Sequence, residues 1–177
     1  MNRFLMGAAL LPSLAGCMHV PYSRGGFDQS QKIRAVESWR YAQLAYNVYH
    51  REFPDPGTPA SPAFVLDPDF VPVPHESNDN DDVGLAYDLY RLRSAPDRLI
   101  AVFRGTEPDG CDFGHGNLRL HQQERATGDL RRYIRERSIS PDAVTLVGHS
   151  LGGAIATHLS YRLPGSRSYV FNASPVP

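Results

Sequence analysis

The chain is short of several things that would place it in a large functional class. Its 18 basic side chains include a single lysine, Lys32, and its net charge is −1. That near-neutrality argues against a nucleic acid or a strongly anionic surface as partner. The preference for arginine over lysine reads as codon usage rather than chemistry. There are two cysteines, Cys17 and Cys111, too few for a disulfide framework or a cysteine-based zinc site. No G-x-G-x-x-G and no cluster of Cys and His ligands occurs, so neither an organic cofactor nor a metal is expected. The apolar run near the start, Phe4 to Leu11, is too short to span a bilayer. After Ser150 there is no Asp or Glu and one histidine, His158.

What remains is an ordinary globular composition over 177 residues, with 41% hydrophobic and 21% charged side chains. That length suits one domain with a sizeable core. Fifteen prolines and fifteen glycines announce many turns.

The most informative stretch is Val144 to Tyr161. Val144, Leu146 and Val147 form a short apolar run after a Ser-Pro-Asp turn and predict a β-strand. Ala154, Ile155, Ala156 and Leu159 predict a helix with one apolar side. Between them lies Gly148-His149-Ser150-Leu151-Gly152, the G-x-S-x-G pattern of a nucleophile elbow. A strand that turns directly into a helix at one residue strains that residue. Gly148 and Gly152 lack Cβ atoms, so chain can pass close on both sides of Ser150. The Ser150 hydroxyl would stand at the C-terminal edge of a sheet. The next helix would aim its N-terminus, and the Leu151 N–H, at a developing oxyanion.

The N-terminus reads as a targeting segment rather than fold. Arg3 and the apolar run precede Leu14-Ala15-Gly16-Cys17, which resembles the lipobox of bacterial lipoproteins. The resemblance implies a signal peptide over 1–17, acylation of Cys17, and a lipid anchor holding the protein to the membrane. The residue after Cys17 is Met18, not Asp, which points to the outer membrane of the bacterial envelope. A plain cleaved signal is the alternative. With Cys17 lipidated, Cys111 has no partner, and no intrachain disulfide is expected.

Residues 18–30 read as a tether rich in Gly, Ser and Pro. Gln31 to His50 predicts an amphipathic helix with Ile33, Val36, Ala42, Leu44, Ala45 and Val48 on its apolar stripe and Trp39, Tyr41 and Tyr49 as core packing. Phe53 to Pro74 carries seven prolines and reads as loop, long enough to cover a site. The acidic run at 78–82 only partly matches a calcium loop, because Val83 and Tyr90 occupy ligand positions, and reads as a solvated turn. Strands are expected at 84–93 and at 98–103, the latter apolar throughout and so buried in the sheet. A turn-rich segment at 107–118, a charged helix at 121–137, the strand–elbow–helix unit, and a last strand at 169–172 complete the chain. Strands alternating with helices predict an α/β fold with a mostly parallel sheet.

Two motifs together, Gly148 to Thr157 and Val102-Phe103-Arg104-Gly105-Thr106, resemble the class 3 (fungal-type) lipases of the α/β-hydrolase fold. Weaker likenesses are Tyr41-Ala42-Gln43-Leu44-Ala45-Tyr46, Asp112-Phe113 with Gly116-Asn117-Leu118, and Val170-Phe171-Asn172-Ala173-Ser174-Pro175. The resemblance covers residues 31–177. It implies a serine carboxylic-ester hydrolase working through an acyl-enzyme at Ser150. It also implies Thr106 and Leu151 as oxyanion donors and an acyl-ester lipid as substrate.

The likeness breaks where that fold supplies its Asp and then its His, after the serine. His158 lies well into the helix, away from the elbow. His149 flanks Ser150 within the elbow, with its side chain expected to point elsewhere. His115 and His121 lie beyond the strand that ends at Phe103 and could approach Ser150 as substitute bases. The expectation is a domain truncated after the nucleophile unit, with part of its sheet uncovered. The competing reading is an inactive lipase-like lipoprotein that binds a lipid or partner.

Overall fold

The computed structural model describes residues 28–50, 63–73, 83–106 and 120–175. Within them, a five-stranded sheet is sandwiched between one helix on one face and two on the other. The strands, in spatial order, are β1 (Phe70–Pro72), β2 (Tyr87–Leu92), β3 (Leu99–Phe103), β4 (Val144–His149) and β5 (Arg167–Phe171). The helices are α1 (Gln29–Asn47), α2 (His121–Glu136) and α3 (Leu151–Arg162). None of these is long and apolar enough to cross a membrane.

The sheet is mixed rather than mostly parallel. β1, β2 and β3 form an antiparallel meander, whereas β3, β4 and β5 run parallel. The connections explain the difference. Leu92 and Leu99 are separated by a short turn, which can only return the chain antiparallel. Parallel neighbours need a crossover, which α2 and α3 provide. β1 lies inside the stretch expected to be loop. It is an edge strand, the place where a sheet tolerates Pro72, and Phe70 is buried there.

Strand periodicity divides the core cleanly. Leu99, Ala101 and Phe103 of β3, with Val144 and Leu146 of β4, pack against α2 and α3. Ile100, Val102 and Val147 face α1, against Leu44, Ala45 and Val48. β3 is therefore buried on both faces, as its unbroken apolar run predicts. At 12 residues α3 would be marginal alone. Its fully buried Leu151, Ile155 and Leu159 each contribute about 1.5–3 kcal/mol, and that packing is what keeps the helix formed.

α1 begins two residues inside the expected tether. Asp28 and Gln31 make a reciprocal capping box: the Gln31 N–H donates to Asp28 Oδ1 at 2.8 Å, and the Asp28 N–H donates to Gln31 Oε1 at 2.9 Å. Hydrogen bonds from the Ser30 hydroxyl and the Gln31 N–H hold the Asp28 carboxyl below its ordinary range. Only the second half of α1 reaches the core. Ile33, Val36 and Trp39 are exposed, Trp39 packing edge-on to Phe64, while Tyr41 stacks on Tyr169 at 4.0 Å. The expectation that all the aromatics of this helix pack in the core thus fails at Trp39.

Candidate active site

β3, β4 and β5 are parallel, so their C-terminal ends lie together at one edge of the sheet, where open α/β sheets bind ligands. Phe103 is paired with Gly148, and His149 with Phe171. Thr106 and Ser150 therefore leave neighbouring strands at the same edge.

Ser150 is the single residue between β4 and α3. Its backbone has φ 53° and ψ −123°, a conformation that side-chain-bearing residues adopt only under constraint. The constraint is visible. The Ser150 N–H donates to the Phe171 carbonyl at 3.1 Å, and its carbonyl accepts from the Ser174 N–H at 3.0 Å and the Ala154 N–H at 3.1 Å. The glycines supply the space. A Cβ on Gly148 would overlap the Gly152 carbonyl group and lie 2.7 Å from the Gly153 nitrogen. A Cβ on Gly152 would overlap the Phe103 carbonyl oxygen and lie 2.9 Å from the Arg104 carbonyl carbon. The elbow thus works by backbone-to-backbone contact between β3, β4 and α3. Gly153 extends the same logic, since a Cβ there would come within 2.9 Å of Ala173 Cβ.

Leu151 is the first residue of α3, and its amide is one of those a helix leaves without an internal acceptor. Its side chain is fully buried in the α2–α3 core. Thr106 is half-buried and, with Ser150 and His149, lines a cleft of about 460 Å³. The rest of the wall is apolar or aromatic, from Ala42, Ala45 and Tyr46 of α1 to Phe171. The structure therefore brings Ser150, Thr106 and His149 into one cleft. His149 is among the residues lining it, and its ring is directed to Tyr49, with Nδ1 3.2 Å from that hydroxyl.

The other sequence candidates are not brought in. His121 opens α2, which packs with α3 on the face opposite α1, and it does not line this cleft. His158 sits on α3, half-buried. Burial, followed by the Arg162 charge, lowers its pKa from the ordinary histidine value, against a smaller opposing effect of Glu124. Cys17, Cys111, His115 and the acidic run at 78–82 lie outside the described residues, as do the signal segment and half of the proline-rich stretch. Among the described residues no three His, Cys, Asp or Glu side chains come together as a metal site would require.

Sequence reasoning missed Tyr49 as a site residue and the part played by Gly105. A Cβ on Gly105 would overlap the Tyr49 hydroxyl and stand 3.2 Å from Ser150 Cβ. The Arg-Gly pair before Thr106 was a readable signal for close backbone approach; the identity of the partner, far away in sequence, was not.

No family model matches the sequence, and no curated protein matches it. Among solved structures the chain is similar to the triacylglyceride lipase of Rhizomucor miehei, with 18% sequence identity and a TM-score of 0.41. The likeness covers 81% of this chain and 62% of that lipase, so the chain spans less than two thirds of the enzyme's length.

Proposed function

We propose that the chain is a serine carboxylic-ester hydrolase of lipase or esterase type, with Ser150 as nucleophile. One observation carries this reading: the strained backbone of Ser150, fixed between β4 and α3 at the C-terminal edge of the sheet. Strain of this kind costs about 1–3 kcal/mol and persists where the surroundings over-determine it. A serine with only a packing role has no use for it.

In the proposed reaction Ser150 Oγ attacks the ester carbonyl carbon, and the carbonyl electron pair moves onto oxygen. The Thr106 and Leu151 amides are the donors for that oxyanion. The serine proton passes through a base to the alcohol as its C–O bond breaks, leaving an acyl-enzyme. Water then releases the acid and restores the hydroxyl. The apolar wall from Ala42, Ala45, Tyr46 and Phe171 suits the acyl chain of a glyceride or phospholipid. The donors and cleft call for no metal or organic cofactor.

The test is hydrolysis of a short-chain p-nitrophenyl ester by the full chain in detergent, beside Ser150→Ala. Turnover that Ser150→Ala removes supports the reading. Equal and negligible rates support a second one, a lipase-like protein without turnover. That second reading has its own observation. Among the described residues lining the cleft the one imidazole, His149, is bonded to Tyr49, and no carboxylate is present.

The anchor is part of the same proposal: Cys17 acylated, the domain held at the outer membrane of a bacterial envelope. Incorporation of labelled palmitate that survives Cys17→Ser would remove it.

A further inference from the structure

Tyr49 stands where three parts of the candidate site meet. It follows the end of α1, and tight turns fix its position. The Tyr49 N–H donates to the Tyr46 carbonyl at 3.2 Å, and the His50 N–H donates to the Asn47 carbonyl at 2.8 Å. Its side chain lines the cleft together with Thr106 and Ser150. The hydroxyl lies 3.2 Å from Nδ1 of His149, 100 residues further along the chain, and the two rings meet edge-on with centroids 6.1 Å apart. The same hydroxyl leaves no room for a Cβ at Gly105. That Cβ would also stand 2.8 Å from the His149 carbonyl oxygen. One phenol thus touches both the residue before the nucleophile and the residue before Thr106.

The geometry points to Tyr49 as a positioning residue. Its hydroxyl clamps the Gly105–Thr106 turn against the His149–Ser150 elbow and so sets where the Thr106 amide lies relative to an oxygen bound at Ser150. This rests on the reading of Ser150 as nucleophile and Thr106 as oxyanion donor. An oxyanion donor is effective only within a few tenths of an ångström of its place, and a misplacement of about 1 Å can cost on the order of a hundredfold in rate. β3 and β4 fix their own ends through the sheet. Beyond Phe103 the Arg104 N–H still donates to the Ala86 carbonyl at 3.0 Å, and Tyr49 presses on the next residue, Gly105, from the α1 side.

The experiment is the rate at which a fluorophosphonate labels the full chain. In that reaction Ser150 Oγ forms the bond to phosphorus, fluoride leaves, and the serine proton is lost to water. Ser150→Ala defines the background. Tyr49→Phe keeps the ring and removes the hydroxyl, and labelling should slow about three- to tenfold, the weight of one hydrogen bond. Gly105→Ala should slow it by more than about tenfold, because the new methyl group displaces the turn. In the double variant the hydroxyl is gone but the His149 carbonyl oxygen, 2.8 Å from the new Cβ, remains, so the loss should be smaller than the product of the two single losses without a return to the wild-type rate. Tyr49→Phe at the wild-type rate, or a double variant whose loss equals or exceeds the product of the two single losses, overturns the proposal.

A wild-type chain that labels no faster than Ser150→Ala sinks the nucleophile reading instead. The clamp is then read directly from the His149 Nδ1 resonance in a ¹⁵N imidazole spectrum. A shift on Tyr49→Phe sustains it, and an unchanged resonance overturns it.

Discussion

Replacing Ser150 by glycine should make the protein more stable while removing its proposed chemistry. Ser150 sits at φ 53° and ψ −123°, and its side chain makes no capping bond to the helix it precedes. Glycine reaches positive φ without the Cβ penalty, so the substitution relieves about 1–3 kcal/mol of strain. Against this, glycine loses more conformational freedom on folding, about 0.5–1 kcal/mol. The difference favours the variant by roughly 1 kcal/mol, worth about 2–4 °C in melting midpoint for a domain of this size. Ser150→Ala is the control. It keeps a Cβ in the same strained backbone, so its midpoint should stay near that of the wild type. Urea titration followed by tryptophan fluorescence, with calorimetry beside it, measures both variants. Ser150→Gly at or below the stability of Ser150→Ala would refute the reasoning, because the backbone at 150 would then store no strain.

Four further outcomes follow from the packing. Gly152→Ala puts a methyl group into the Phe103 carbonyl oxygen; that oxygen is backbone and cannot swing aside, so the loss should exceed the roughly 1–3 kcal/mol of ordinary overpacking. Gly128→Ala, in open space on an exposed turn of α2, should instead gain about 0.5–1 kcal/mol, both read as shifts in urea midpoint. Arg40 lies over the Phe70 ring at 4.2 Å and donates to Asp69 at 3.2 Å, so Arg40→Ala should cost about 1 kcal/mol in the same titration. His158 has a pKa below its unfolded value. The unfolded chain therefore takes up the proton first as pH falls, and stability declines from about pH 7 downward until the folded-state pKa is passed. His158→Gln should flatten that part of a melting-midpoint-against-pH curve, and a curve unchanged by the substitution would contradict the burial.

What the sequence revealed was what neighbouring residues decide together. The elbow is a local code: an apolar run, glycines on either side of a serine, and a helix former beyond, all within reach of one turn. β3 was legible for a similar reason, since five consecutive apolar residues admit burial on both faces. The capping box at Asp28 and Gln31 was equally local and went unread because the surrounding Gly and Ser suggested a tether. The misread features depend on partners far along the chain. β1 exists because Phe70 to Pro72 finds β2, with Phe70 opposite Leu92; the prolines nearby make the whole stretch read as loop. The sheet is mixed because the short link from Leu92 to Leu99 forces an antiparallel return, and connection length is hard to read where strand ends are uncertain. Tyr49 looked like any aromatic on a helix, and nothing near it in sequence indicates His149 or Gly105.

The same division between local and distant causes applies to Ser150 itself. Gly148 and Gly152 permit the strained turn, but permission is not restraint. Two bonds from beyond α3 restrain it: the Ser150 N–H to the Phe171 carbonyl and the Ser174 N–H to the Ser150 carbonyl. Each contributes about 0.5–1.5 kcal/mol, so together they are of the same size as the 1–3 kcal/mol of strain they oppose. Neither bond alone suffices across that range. A chain ending at Phe171 keeps the first bond and loses the second, together with the close approach of Ala173 to Gly153. The helix and sheet should survive that cut, because their burial lies elsewhere, in Ile155, Leu159 and the strands. Ser150 should then relax toward negative φ, and fluorophosphonate labelling should fall while the far-ultraviolet dichroism stays close to that of the intact chain. Labelling at the full rate by the shortened chain would mean that the glycines alone hold the elbow, and that the residues after β5 add nothing to it.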